Sequence, residues 1–290
     1  MAKEKVYIAG ETKAQRKARK AREKTQKALA TNPVSQSQPQ KTVEEPKIQP
    51  QKTVTPTKTQ YNVLCLKHGN KYDAKYVNIL YSMVKRNLTL PFTFHCLTED
   101  ATNINSEINI IPLPKDLSGW WCKPYMYSNQ LPIDGTILYI DLDVVISGSL
   151  DKLFTFNPGN WCVIRDFTRA MQPQWEKYNS SVVRFEKGQL HDVWHRFIQD
   201  PQQVIGSHFG DQDWLWTCAK GTATLFPDAW IRSYKWEIRK DRQLSAGTKG
   251  NRRFVHTENA KPNDDCSIAV FHGDPNPHQC DDPWVLNNWK

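Results

Sequence analysis

The stretch Leu138-Tyr139-Ile140-Asp141-Leu142-Asp143-Val144-Val145-Ile146 sets two carboxylates inside an otherwise apolar run. From Ile137 to Ile146 the other residues are aliphatic or aromatic, and the turn signals Asp134-Gly135 and Ser147-Gly148 bracket them. That pattern predicts a strand buried on both faces. Side chains two apart in an extended segment point the same way, so Asp141 and Asp143 are expected to converge at the strand end. Like charges so placed raise each other's pKa unless a cation lies between them. A divalent ion with hard oxygen ligands, manganese or magnesium, resolves the conflict and commonly joins carboxylates to phosphates. The bland alternative is a turn in which the aspartates cap backbone amides. The flanks favour the first reading, because open α/β sheets place their ligands at the carboxyl ends of the strands.

The 290 residues carry a formal charge of +9, which suggests a nucleic-acid partner until it is divided along the chain. Residues 1–60 hold 14 of the 39 Lys and Arg but only 5 of the 30 Asp and Glu, so the rest balances at 25 of each sign. All eleven tryptophans lie in the neutral part. Glu11 to Ala30 is helix-prone but has almost no apolar face. Thr31 to Gln60, with five prolines among Gln, Thr and Lys, cannot bury enough surface to offset its ordering entropy. Residues 1–60 therefore read as a disordered basic tail and linker, either simply solvated or tethering the protein to a polyanion or an acidic membrane surface. The seven cysteines are scattered and form no Cys-x-x-Cys pair, which argues against a structural zinc or a disulfide framework and for reduced cytoplasmic thiols. No apolar run reaches the roughly 18–20 residues of a spanning helix, and no signal-peptide centre opens the chain. A cytoplasmic protein, at most peripheral to the inner membrane surface, is expected.

Order is expected from Tyr61. Tyr61–Leu66 reads as a first strand, Tyr72–Val84 as a helix with apolar residues at 76, 77, 80, 83 and 84, and Phe92–Leu97 and Ile108–Ile111 as further strands. Strand, helix, strand opens a parallel α/β sheet. Tyr72 either stacks on a base or staples the helix start. Trp120-Trp121 before Lys123 suits a wall beside a phosphate contact, or plain core. Ser149–Phe154 reads as a short capped helix, Trp161–Arg165 and Ser181–Phe185 as strands, and Asn179-Ser180-Ser181 as polar groups at a strand entrance. Asp211, in Gly210-Asp211-Gln212-Asp213, is a candidate helix N-cap. Ile268–Phe271 reads as a strand ending in His272, a poor core residue and a plausible third metal ligand before Gly273 and two prolines.

The order of these pieces resembles the retaining GT-A glycosyltransferases of family 8, the group of glycogenin and the bacterial lipopolysaccharide galactosyl- and glucosyltransferases, over about Tyr61 to Trp289. The resemblance implies a Rossmann-like, mostly parallel mixed sheet flanked by helices over residues 61–290. It implies Asp141, Asp143 and His272 as manganese (or magnesium) ligands, with Asp141 also near the donor ribose. Tyr72 matches a uracil-stacking position, Lys123 a diphosphate or sugar contact, Asn179 and Asp211 donor-sugar contacts, and Gln212 the residue beneath the anomeric carbon. Asp211 also stands as a candidate nucleophile. The implied activity is metal-dependent transfer of a hexose, with retention, from a nucleoside diphosphate sugar such as a UDP-hexose. The acceptor is left open among a glycan, a lipid-linked sugar, a protein and a modified nucleic acid. One position departs from the pattern: Asn276-Pro277 stands where the family has Lys-Pro, which removes a phosphate contact that Arg239, Lys240 or a tail lysine would have to replace. Two other classes use the same residues: a nucleotide-sugar hydrolase, which needs no acceptor, and a polyanion-binding protein on an inactive transferase scaffold.

Overall fold

The computed structural model describes residues 60–240 and 260–290. The tail and linker expected over 1–60 lie outside the described residues except for Gln60. Thr59–Pro201 and His208–Lys290 make one compact unit, to which the short segment Gln202–Ser207 does not belong. The large unit is described here.

Its first strands are β1 (Tyr61–Lys67), β2 (Phe92–Thr98), β3 (Asn109–Pro112) and β4 (Thr136–Ile140), with helix α1 (Ala74–Asn87) crossing between β1 and β2. They pair in parallel in the order β3-β2-β1-β4. Val63, Leu64 and Cys65 of β1 are fully buried, as expected of a central parallel strand covered on both faces. Tyr76, Val77, Leu80, Met83 and Val84 form the buried stripe of α1, the spacing of a helix with one face on a core. Past β4 the sheet continues through β7 (Tyr178–Glu186), β6 (Cys162–Arg165) and the two-residue β8 (Thr224–Leu225). β7 runs against β4 and β6, so it alone opposes the direction of the others. Its first residues therefore stand at the end of the sheet where the parallel strands finish.

The apolar run around the two aspartates is not one strand. β4 stops at Ile140, the chain bends through Asp141–Asp143, and β5 (Val144–Ile146) joins a second sheet, pairing antiparallel with β10 (Ile268–Val270), which lies parallel to β9 (Ile231–Ser233). The reason lies in the carboxylates, which a fully covered strand cannot shelter without partners. Register then positions the distant pieces. Val144 faces Val270, Phe271 N–H donates to Asp143 O at 2.8 Å, and His272 follows directly. On the other side Ser233 faces Val270, and one π-helical turn, Tyr234–Ile238, begins alongside Phe271, with the Tyr234 and Phe271 rings stacked at 4.0 Å.

The helices after β5 are α2 (Asp151–Thr155), α3 (His191–Gln199), α4 (Pro201–Ser207), α5 (Asp211–Ala219) and α6 (Pro283–Asn288). Arg184, almost fully buried in β7, donates to the carbonyls of Leu153, Phe154, Phe156, Asn157 and Asn160 and so closes the end of α2. All seven cysteines are free thiols. Among the described residues no helix is long and apolar enough to cross a membrane.

Candidate active site

The end of the sheet where the parallel strands finish opens into a cleft of about 440 Å³, and all eight candidate residues line it. Asp141 follows β4, with its N–H donating to Ser181 O of β7 at 2.8 Å. Asn179 and Ser180 are buried in the first residues of β7, which begins at Tyr178, a little ahead of the expected Ser181. Asp211 is the first residue of α5 and does not cap it. Gly210 holds the cap position, and the Asp211 carboxylate accepts from Ser180 Oγ at 2.5 Å instead.

Lys123 ties this group together. Its ammonium lies 2.8 Å from Asp141 Oδ1, 3.6 Å from Asp211 Oδ2 and 3.3 Å from Ser180 Oγ. Burial opposes the charge, but Asp141 and Asp211 outweigh it and hold Lys123 above the ordinary lysine range. Burial also raises the Asp211 carboxyl, an effect that Lys123 and Ser180 partly offset. Tyr139 Oη donates to Asp141 Oδ1 at 2.7 Å, so the Asp141 carboxylate is engaged from two sides.

Asp143 is differently placed. Burial, then the charge of Asp141, pushes it up to about 6, and among the described residues no cationic group stands within ion-pair distance of it. Tyr72 donates to its Oδ2 at 3.0 Å and lies 3.1 Å from Asn276 Oδ1, so the tyrosine hydroxyl belongs to the site and is not a mere staple. His272 is half-buried, stacked on Phe167 with Trp236 edge-on, and desolvation followed by the charge of Lys235 lowers it to about 3. It is a neutral imidazole at any ordinary pH. Ser233 Oγ lies 2.7 Å from its Nε2, and the tautomer that donates there would leave the Nδ1 lone pair for a metal. Two carboxylates, one lacking a cation, and a neutral imidazole suit a divalent metal in donor type. The three are not drawn into a metal-holding cluster among the described residues, and Asp141 already has Lys123.

Gln212 sits in the first turn of α5 with its amide held at both ends. Asn179 Nδ2 donates to its Oε1 at 3.2 Å, and its Nε2 donates to Asp166 Oδ2 at 3.3 Å. Together with Asn179 and His272 it also lines a second cleft of about 480 Å³, walled by Phe167, Trp175, Phe209 and Trp236. Gln212 thus stands at the junction of the two.

No protein-family model matches the sequence, and no curated protein matches it. Solved structures do. The galactosyltransferase LgtC, in complex with donor and acceptor sugar analogs, matches with a TM-score of 0.51 at 14% identity over 74% of this chain and 88% of its own. The glycosyltransferase GlyE of Streptococcus pneumoniae TIGR4 matches with a TM-score of 0.55 at 12% identity, over 80% of this chain and 62% of its own. The bifunctional glycosyltransferase WbbM matches with a TM-score of 0.51 at 11% identity, over 80% and 52%. The chain has the GT-A fold.

Several members of the site carry no sequence signal. Asp166 orients Gln212 and Ser233 contacts His272, yet neither belongs to a recognisable motif. The paired tryptophans divide. Trp120 is 58% exposed at the cleft, whereas Trp121 is 9% exposed and stacks on Phe197 at 5.8 Å, because the 3-10 turn Gly119–Tyr127 points consecutive residues in different directions. Arg239 is turned to Tyr234 Oη at 3.2 Å and is not among the residues lining the cleft.

Proposed function

We propose that the protein is a metal-dependent glycosyltransferase that moves a hexose, with retention, from a uridine diphosphate sugar to an acceptor held in the second cleft. The observation that carries this reading is the convergence of eight residues, spread from Tyr72 to His272, on one cleft of a GT-A fold. Asp141, Asp143 and His272 would hold manganese or magnesium, which as a Lewis acid neutralises the charge appearing on the leaving diphosphate. The protein's own groups do the rest. Lys123 pairs with Asp141 and Asp211 and fixes both carboxylates where they can meet sugar hydroxyls. Tyr72 contributes an aromatic face to the base and its hydroxyl to Asp143. The Gln212 amide is a weak nucleophile, but Asn179 and Asp166 clamp it in one orientation. A fixed dipole costs no reorganisation as charge develops, so its oxygen supports oxocarbenium character at the anomeric carbon. Asp211 is held by Lys123 and Ser180, which suits a sugar ligand better than a nucleophile. The aromatic walls of the second cleft suit the apolar faces of a sugar acceptor. An active-site glutamine-to-glutamate variant is among the solved forms of LgtC, and the clamped Gln212 is the residue here that invites the same change.

The test is to incubate the full chain with manganese and a panel of nucleoside diphosphate sugars and to follow release of free sugar without acceptor. Slow hydrolysis of one uridine diphosphate hexose is expected. No turnover of any donor would contradict the reading.

A further inference from the structure

Among the described residues, buried cations other than Lys235 meet a carboxylate, a set of carbonyls or, for Arg239, the Tyr234 hydroxyl and ring. Lys67, Lys123 and Arg169 each have a carboxylate within 4 Å, and Arg184 is surrounded by carbonyls. Lys235 is 6% exposed, and its ammonium has a single hydrogen bond, to the neutral carbonyl of Asp274 at 3.2 Å. Among the described residues no carboxylate comes within 4 Å of it. An ammonium carries three donors, and a buried charge without a partner is costly. Lys235 does not lie in an inert part of the core. The parallel pairing of β9 with β10 sets it alongside His272, and its charge acts on both His272 and Asp143. Between its Nζ and the cleft stands Gly273, at φ 80°, where an added Cβ would lie 3.3 Å from the ammonium. Gly273 itself lines the cleft and puts no side chain in front of the ammonium. Asn276, on the same loop, has its side chain against Tyr72 and supplies no charge.

We infer that Lys235 is the binding group for the terminal phosphate of the nucleoside diphosphate, reaching it past Gly273 from beneath the His272 loop. The inference rests on the proposed function and adds a residue to it. When the bond between the anomeric carbon and the phosphate oxygen breaks, its electron pair stays on that oxygen, while the acceptor hydroxyl forms the new bond and its proton passes to water. The diphosphate thereby gains one negative charge. Lys235 remains protonated throughout and balances that charge on the side opposite Lys123.

The test is calorimetric titration of the full chain, at fixed manganese, with uridine diphosphate and uridine monophosphate, for wild type, Lys235→Met and Lys235→Gln. Each variant is melted without ligand. Wild type should prefer the diphosphate. Lys235→Met should lose about 10- to 100-fold in diphosphate affinity, leave monophosphate affinity within about threefold, and melt at or above the wild-type temperature, since an apolar side chain replaces a poorly compensated charge. Three results would overturn the inference: unchanged diphosphate affinity, equal loss for both nucleotides, or melting far below wild type in both variants, which would make Lys235 a structural residue. A wild-type protein that binds neither nucleotide would instead reject the proposed function itself.

Discussion

Asp143 and His272 are the residues through which charge chemistry enters the cleft. Asp143 is a half-buried carboxylate with no cation at ion-pair distance among the described residues, and His272 an imidazole kept neutral by desolvation. Asp143→Asn removes charge without changing shape, and turnover with manganese should fall about 100-fold or more while the melting temperature holds. Unchanged turnover of the variant in excess chelator would remove the metal from the account. Gln212 differs in kind, because its clamped amide acts on the transition state. Gln212→Ala should cut kcat about 100-fold and leave donor affinity within about threefold, a split read from steady-state kinetics beside calorimetry. Lys123 has a third signature. Lys123→Met leaves the half-buried Asp141 and Asp211 of the cleft without their cation, at a cost of about 3–5 kcal/mol. The deficit in melting temperature should shrink as pH falls and Asp211, whose carboxyl burial already raises, takes up a proton, whereas a pH-independent deficit would assign Lys123 to packing alone. The aspartates were legible in the sequence because charge interrupts an apolar run. Lys235 was not, since a lysine between Tyr234 and Trp236 has no pattern to break, and only its lack of a partner in the folded chain marks it.

At the scale of elements, two pairings build the site, and they differ in how far sequence discloses them. The β1-α1-β2 opening follows from local apolar spacing, and its bounds shift by only a few residues between sequence and structure. The join of β5 to β10 depends on residues more than 120 apart in sequence, and no local signal reports it. Reading Ile137–Ile146 as one strand is the natural error, because nothing local says that Val144–Ile146 belongs to another sheet. The central pairing carries its own pH signature. His95 on β2 hydrogen-bonds Asn62 on β1 at 3.1 Å, and desolvation lowers it to about 4 from the ordinary 6.5. Between these values only the unfolded chain takes up the proton, so stability is full above about 6.5 and is lost as pH falls toward 4. His272 acts in the same sense, and Asp143, whose native value is raised, in the opposite one. His95→Gln, which keeps a neutral partner for Asn62, should remove about 2–3 kcal/mol of acid sensitivity over that interval. Denaturant titrations at pH 7 and pH 4.5 check it, and parallel losses in variant and wild type would contradict it.

For the whole molecule, charge and chemistry separate along the chain. Every site residue lies between Tyr72 and His272, and the excess charge lies before residue 61. Deleting residues 1–59 should leave melting temperature and nucleotide affinity unchanged. Any loss should appear with a polyanionic acceptor or surface and should shrink as salt rises, since such attraction is screened over about 8 Å at physiological ionic strength. A truncated chain that fails to fold would show that the tail packs on the catalytic unit. GT-A folds host many transferases, so the fold alone does not name the reaction, and the account stands on what the cleft holds. Crystals of the full chain grown with manganese and uridine diphosphate, measured at the manganese absorption edge, test that most directly. The account predicts one anomalous peak among Asp141, Asp143 and His272 with the diphosphate beside it. A nucleotide bound in the cleft with no peak there, or a peak held by other residues, would contradict it.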